Sequence, residues 1–222
     1  MKGHALPEVD SVIRKLKETY SDISSEPTSE DPFRTLIGCI LSQRTRDGNA
    51  EKASTSLFER ASTPEEIFRL GESELEALIR SSGFYKQKAR YISGTCRTLV
   101  EECGGAVPQD REALLKLPGV GPKTADIVLA YSYDTKVVPV DVHVWRVSRR
   151  LGLADMDADH EEVKTILEEI IPDDDKALYD RAVLRIGKDY CRKTGLRCPD
   201  CPLKTLCGYA SRGRSAPLPT HP

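Results

Sequence analysis

Lys123 stands two residues behind the second of two glycines in "LPGVGPKTADIV", residues 117 to 128, where helical periodicity begins. An amine there could grip a phosphate, pair with a carboxylate on a solvated face, or attack an electrophile. A nucleotide-binding P-loop requires G-x4-G-K-[ST]; Pro122 precedes this lysine, so that reading fails. The glycines of "LPGVG" can leave backbone N–H groups exposed, and the helix starting near Pro122 points its own unpaired N–H groups the same way. Together they form an anion site made of main chain, suited to a backbone phosphate of DNA. The same positive helix end is hostile to an ammonium, which suits an amine that must act as a nucleophile.

A second chemistry lies near the C-terminus. Cys191, Cys198, Cys201 and Cys207 are spaced x6, x2, x5 in "CRKTGLRCPDCPLKTLC", four thiols within 17 residues. Thiolates so crowded repel one another unless a cation sits between them, so a metal centre is the economical reading. Zinc is the ordinary occupant of a four-cysteine site, and spacing does not exclude it. A redox Cys-x-x-Cys pair would leave Cys191 and Cys207 without a role. The other three cysteines, Cys39, Cys96 and Cys103, fall on apolar helical stripes and read as small core residues.

The elements that must position these groups are mainly helical. Phe33, Leu36, Ile37, Ile40 and Leu41 recur at helical spacing behind "DP", a cap followed by proline at the first helical position. Val163, Ile166, Leu167, Ile170 and Ile171 repeat the pattern, opened by Asp159 with Glu162 three residues on. Ser73 with Glu76 reads as a further capping box, and Thr63–Pro64 as the start of a short helix. Val9, Val12, Ile13, Leu16 and Tyr20 mark an N-terminal helix, and Ala89, Ile92, Cys96, Leu99 and Cys103 a longer one. One stretch resists: "VVPVDVHVW", residues 137 to 145, alternates like a half-buried strand. Pro139 argues against a central strand, and the favoured alternative makes Asp141 the cap of a helix carrying Val144, Val147 and Leu151 on one face. The last residues, "SRGRSAPLPTHP", read as a frayed tail.

Composition sets bounds on function. The 222 residues are 39% hydrophobic, and the 15 glycines bring the apolar share to about 46%, the range of ordinary folded domains. No apolar segment has the length of a membrane span, and the first residues lack the apolar centre of a secretory signal, so the chain reads as intracellular. A net charge of −2 argues against a polyanionic partner until its distribution is considered. From Arg181 to Arg214, nine Lys or Arg face two Asp, a net of +7; from Asp155 to Asp180, eleven Asp or Glu face two Lys, a net of −9. The acidic run reads as a solvated face, whereas the basic run passes through the cysteine cluster.

The cysteine spacing, preceded by "LPGVGPKTA" and then "VDVHVWRV", resembles the endonuclease III family of helix-hairpin-helix DNA glycosylases. The resemblance extends from "DPFRTLIGCILSQ" through "GFYKQKARYI" to Cys207. It implies an all-α, two-lobed fold: residues 26–136 as a helical barrel carrying the hairpin, and residues 1–25 with 137–222 as a lobe whose loop at 191–207 holds a [4Fe-4S] cluster on Cys191, Cys198, Cys201 and Cys207. It implies an active cleft with Lys123 as the nucleophile on one wall and Asp141 as the catalytic carboxylate on the other, supported by His143. The reaction is then that of a glycosylase and AP lyase on oxidised pyrimidines. The enzyme is expected to be a cytoplasmic, prokaryotic-type monomer acting on double-stranded DNA with damaged bases or abasic sites.

By the same resemblance, the hairpin residues Leu117, Gly119, Val120, Gly121 and Thr124 contact DNA, as do Arg192, Lys193 and Arg197 between the first two cluster cysteines. Phe84 stands where the family inserts an apolar wedge into the gap left by a flipped nucleotide. The family's second insertion residue is a glutamine; here gapless alignment puts Arg44 at that position and Gln43 one residue earlier. Three alternatives stay open: a mismatch-specific thymine or adenine glycosylase of the same superfamily, a non-catalytic DNA-binding module, and an electron carrier built on the cluster. A lysine at position 123 disfavours the first, and the match at Asp141 the second. Retention of the glycosylase motifs outside the cluster disfavours the third.

Overall fold

The computed structural model describes residues 8–23 and 30–211, and among these there is no strand. In chain order the helices are α1 (Val9–Thr19), α2 (Pro32–Ser42), α3 (Asp47–Arg60), α4 (Pro64–Leu70), α5 (Glu72–Leu78), α6 (Tyr85–Glu102), α7 (Arg111–Leu115) and α8 (Pro122–Ser132). There follow α9 (Val142–Leu151), α10 (His160–Ile170), α11 (Lys176–Asp189) and the short α12 (Gly208–Ser211). The tail from residue 212 and the boundary expected at 25 and 26 lie outside the described residues. Contacts divide the chain into two compact units, Thr28–Thr135 in one and Met1–Pro27 with Lys136–Pro222 in the other.

In the first unit, α2 packs against α3, α6 and α8, and α6 also carries α4 and α5. The reason is the α2 stripe: Leu36, Ile37, Ile40 and Leu41 are fully buried and Phe33 nearly so. Each such side chain contributes about 1.5–3 kcal/mol on leaving water. Asp31 caps α2 by accepting from the Arg34 amide at 2.7 Å, with Pro32 in the first turn. Thr63 and Glu66 form a reciprocal capping box on α4. The expected box at Ser73 does not form. Gly71, at φ 75, is the N-cap of α5 with no side-chain cap bond, so the helix starts one residue ahead of Ser73.

In the second unit, α9 packs against α10, α11 and α12, and α1 lies on α11. Val144, Val147 and Leu151 of α9 join Val12, Leu16, Val163, Leu167, Tyr179 and Val183 in one core. Asp159 and Glu162 form a capping box on α10. Val137 to Val140 are an extended lead into α9 rather than a strand, and Asp141 is the cap, its Oδ1 accepting from the amides of His143 at 2.7 Å and Val144 at 2.8 Å.

Of the three cysteines expected in the core, only Cys96 is fully buried, and Cys39 and Cys103 are partly so. Cys103 is the C-cap of α6 and half-buried, and Cys39 lines a cavity described next. Helical periodicity assigns a stripe but not which of its ends is covered by a neighbour.

Candidate active site and nucleic-acid interface

The turn from Leu117 to Gly121 is built to bring main chain close to its surroundings. The Val120 amide donates to the Leu117 carbonyl at 3.1 Å, and Gly119 sits at φ 78. A Cβ at Gly119 would lie 2.8 Å from the Tyr91 ring, so only glycine satisfies both the backbone and the packing. Leu117 and Val120 are buried, which leaves their main chain as what they can offer a phosphate. Gly121 is the N-cap of α8 and supplies no side-chain cap. Pro122 and Lys123 open the helix exposed, whereas Thr124 is buried.

Lys123 lines a cavity of about 510 Å³ together with Cys39, Gln43, Arg44, Phe84, Lys88, Tyr91 and Thr124. The structure thus brings five residues singled out in the sequence, Lys123, Thr124, Gln43, Arg44 and Phe84, onto one cavity. Burial pushes the Cys39 thiol up to about 11, opposed by the charge of Lys123 and reinforced by Glu30, so Cys39 is a neutral wall rather than a second nucleophile. Gln43 turns its amide to the hairpin, Nε2 donating to the Gly119 carbonyl at 2.9 Å. Arg44, at φ 50, is exposed, with its guanidinium 6.0 Å from the Phe84 ring. Phe84 is 60% exposed at φ 59, a left-handed backbone unusual for a bulky residue. Gln43 braces the turn and Arg44 projects.

In the other unit, Asp141 is buried and its carboxylate is oriented by the two amides it caps. His143 Nδ1 lies 3.0 Å from Arg146 Nη2, which can only donate, so Nδ1 accepts. Burial holds the His143 imidazole below its ordinary range, outweighing the attraction of Asp141. His143 also packs tightly on α11, where a Cβ at Gly187 would lie 2.6 Å from the His143 Cβ and 2.8 Å from Nδ1. Gly187→Ala should accordingly destabilise the protein by about 1–3 kcal/mol through overpacking. Urea unfolding followed by circular dichroism measures this, and an unchanged midpoint would mean the two helices are not in close contact.

The four C-terminal cysteines are half-buried, and three of them, Cys191, Cys201 and Cys207, pack on the core of their unit. Burial pushes the Cys201 thiol up to about 11, and the charges of Cys191, Cys207 and Cys198 push the same way. Among the described residues, no three His, Cys, Asp or Glu side chains are gathered closely enough to hold a single metal ion. Two arginines of α9 serve this loop. Arg146 Nε donates to the Cys191 carbonyl at 2.8 Å; Arg150 Nη1 donates to Cys191 Sγ at 3.1 Å and the Arg192 carbonyl at 3.0 Å. Arg150 is 2% exposed, and among the described residues its Nε and Nη2 have no hydrogen-bond partner. Arg192 and Lys193 are exposed, while Arg197 is paired with Asp200 at 3.2 Å.

Residues 37–173 match the family of HhH-GPD superfamily base excision DNA repair proteins. An endonuclease III from Thermotoga maritima is 44% identical over 185 residues, 83% of this chain and 86% of that protein. The chain belongs to the endonuclease III family. Membership makes it a base excision repair enzyme, a DNA glycosylase with AP lyase activity. Two solved structures are similar throughout: a trapped endonuclease III–DNA covalent intermediate with an estranged adenine (TM-score 0.84, 34% identity, 95% of this chain and 99% of that one), and a non-covalent endonuclease III–DNA complex (TM-score 0.85, 33% identity, 96% and 100%). Members of the family generally contain an iron-sulfur centre. Among the described residues no helix is long and apolar enough to cross a membrane.

Sequence reasoning missed Arg150 and Lys88. Both left a signal. "VWRVSRRL" puts arginines at helical spacing behind the Asp141 cap, and Lys88 falls four residues before Ile92 on the apolar stripe of α6.

Proposed function

We propose that the chain removes oxidised pyrimidines from duplex DNA through a Schiff base on Lys123. The observation that carries this reading is Lys123 itself, exposed in the first turn of α8 behind the Gly119–Gly121 turn and lining the same cavity as Arg44 and Phe84. The amine attacks C1′ of the flipped nucleotide, and the glycosidic bond breaks with its electron pair leaving on the base. Ring opening gives an imine between Nζ and C1′; loss of a proton from C2′ then expels the 3′ phosphate and cuts the strand. Asp141 stabilises the positive charge that develops on the sugar and assists proton transfer. Arg44 and Phe84 fill the space the nucleotide leaves. The capture of a similar protein as a covalent intermediate with DNA supports an enzyme-bound step of this kind. The setting is the cytoplasm, at the nucleoid.

Cys191, Cys198, Cys201 and Cys207 hold a [4Fe-4S] cluster in this reading, and the chemistry around them fits one. Arg150 is a buried cation whose Nη1 bonds Cys191 Sγ and whose guanidinium lies 5.2 Å from the centre of the Tyr209 ring, while among the described residues its Nε and Nη2 have no hydrogen-bond partner; a thiolate-ligated, anionic group against it would offset the cost of burying that charge. The cluster would hold residues 191–207 in shape.

Borohydride trapping on a duplex with one oxidised thymine tests the mechanism: a covalent protein–DNA band is expected. Its absence, from protein that binds the duplex and has the brown colour of the cluster, would mean a different substrate. Exposed Arg192 and Lys193 are proposed to neutralise phosphates, each releasing counterions. The double variant Arg192→Gln/Lys193→Gln should therefore flatten the slope of log K against log salt by up to about 1.8, at about 0.9 per contact. Arg197→Gln should flatten it less, because Asp200 already neutralises that side chain. Anisotropy titrations across salt read both, and a slope unchanged in the double variant would remove this loop from the DNA interface.

A further inference from the structure

Lys88 is a lysine on the core face of α6, 3% exposed, and its ammonium is surrounded by oxygens from two separate loops. Nζ lies within hydrogen-bond distance of four oxygens, the carbonyls of Leu41 at 2.7 Å and Gln43 at 2.6 Å and the hydroxyls of Thr45 at 2.8 Å and Ser82 at 2.8 Å, which share its three N–H donors. The first three acceptors belong to the end of α2 and the loop behind it, and bracket Arg44. The fourth leads into Gly83 and Phe84. Thr45 Oγ1 also accepts from the Gly83 amide at 3.0 Å, so the two loops are tied directly as well as through Nζ. The approach is close: a Cβ at Gly83 would sit 3.1 Å from the Arg44 carbonyl oxygen.

Two features make this more than packing. No carboxylate is among the contacts, and burial pushes the amine down to about 8, so an apolar residue would serve a purely structural need at lower cost. The residues flanked by these bonds, Arg44 at φ 50 and Phe84 at φ 59, are two of the three non-glycine residues in left-handed backbone among those described. Such conformations persist where the surroundings over-determine them. Here the surroundings are Nζ, Thr45 and Ser82.

We propose that Lys88 is a positioning residue that clasps the loop after α2 to the loop before α6, so that Arg44 and Phe84 project as one pair into damaged DNA. The proposal rests on the reading of Arg44 and Phe84 as the residues that fill the gap. One ammonium serves both loops because its three N–H donors point from a single centre toward acceptors on each, so neither tip can shift without loss at the other. Gln43 completes the brace by bonding the first loop to the hairpin at Gly119.

The test is a double-mutant cycle on single-turnover excision from a duplex with one oxidised thymine, with 2-aminopurine opposite the lesion to report the gap. Lys88→Met should slow excision about 100-fold, as misplacement of groups remote from the chemistry does, and lose the fluorescence rise. Its affinity for undamaged duplex should stay within about threefold of the parent. In an Arg44→Ala/Phe84→Ala background, Lys88→Met should add no more than about threefold. Thr45→Val enters the same clasp from the other side and should slow the parent about tenfold by the same route; it carries the test if Lys88→Met does not fold. Full multiplication of the two effects would overturn the proposal and leave the gap reading standing. Parental rates in Arg44→Ala/Phe84→Ala would overturn the gap reading and the clasp with it.

Discussion

Lys123→Ala gives no covalent band on borohydride trapping and loses strand cleavage by a factor on the order of 10⁴ to 10⁶, the range seen when a nucleophile is deleted. Lys123 is exposed and outside the core, so the variant should melt with the parent. The main-chain anion site at Gly119 to Gly121 remains, so duplex binding should fall little. That separation of binding from chemistry is the informative part. A band that survives in Lys123→Ala would show that another amine forms the imine, and the assignment of the nucleophile would fail while the family did not. Lys88 is the other lysine on the cavity, but its ammonium is occupied by four oxygens and cannot present a lone pair without dismantling the clasp.

Asp141 caps α9 and is proposed to stabilise the sugar cation, and substitution can pull the two roles apart. Asp141→Asn keeps an oxygen to accept from the amides of His143 and Val144, and asparagine caps a helix about as well as aspartate. Its stability should change by only a few tenths of a kcal/mol, while excision falls about 10² to 10³-fold because the charge facing the developing sugar cation is gone. Asp141→Ala should lose activity to a similar degree and also about 1 kcal/mol of stability, lowering the melting temperature by about 2–4 °C. Single-turnover kinetics and thermal melts on the pair decide the matter. Equal activity in the asparagine variant and the parent would reduce Asp141 to a helix cap. His143, held neutral by burial and bonded to Arg146, fits a supporting role through orientation rather than proton donation at neutral pH.

Most of the fold class was legible in the sequence because it rests on local physics. The α2 stripe, the proline and aspartate that start it, and the Asp159–Glu162 box are each set within one or two helical turns. So was the cap at Asp141, where Pro139 weighed against a strand. Ser73 misled because Ser-x-x-Glu is a frequent local pattern, and Gly71 at φ 75 took the position first. Cys39 and Cys103 misled for a different reason: a residue at the edge of a stripe is core or wall according to what a distant helix covers.

Residue type and spacing by themselves determined the helical class, the nucleophile candidate behind its glycine turn, the capping carboxylate and the four-cysteine loop. Each is a short-range pattern whose chemistry follows from a few neighbours. Only the tertiary structure decided that Gln43 braces the hairpin while Arg44 projects, that Arg150 lies buried against Cys191, and that Lys88 ties two loops together. The bonds from Gln43 to Gly119, from Arg150 to Cys191 and from Lys88 to the Leu41 and Gln43 carbonyls join residues 41 to 76 positions apart, and hydrogen-bond geometry at tenths of an ångström is set by how helices pack, which no local pattern encodes.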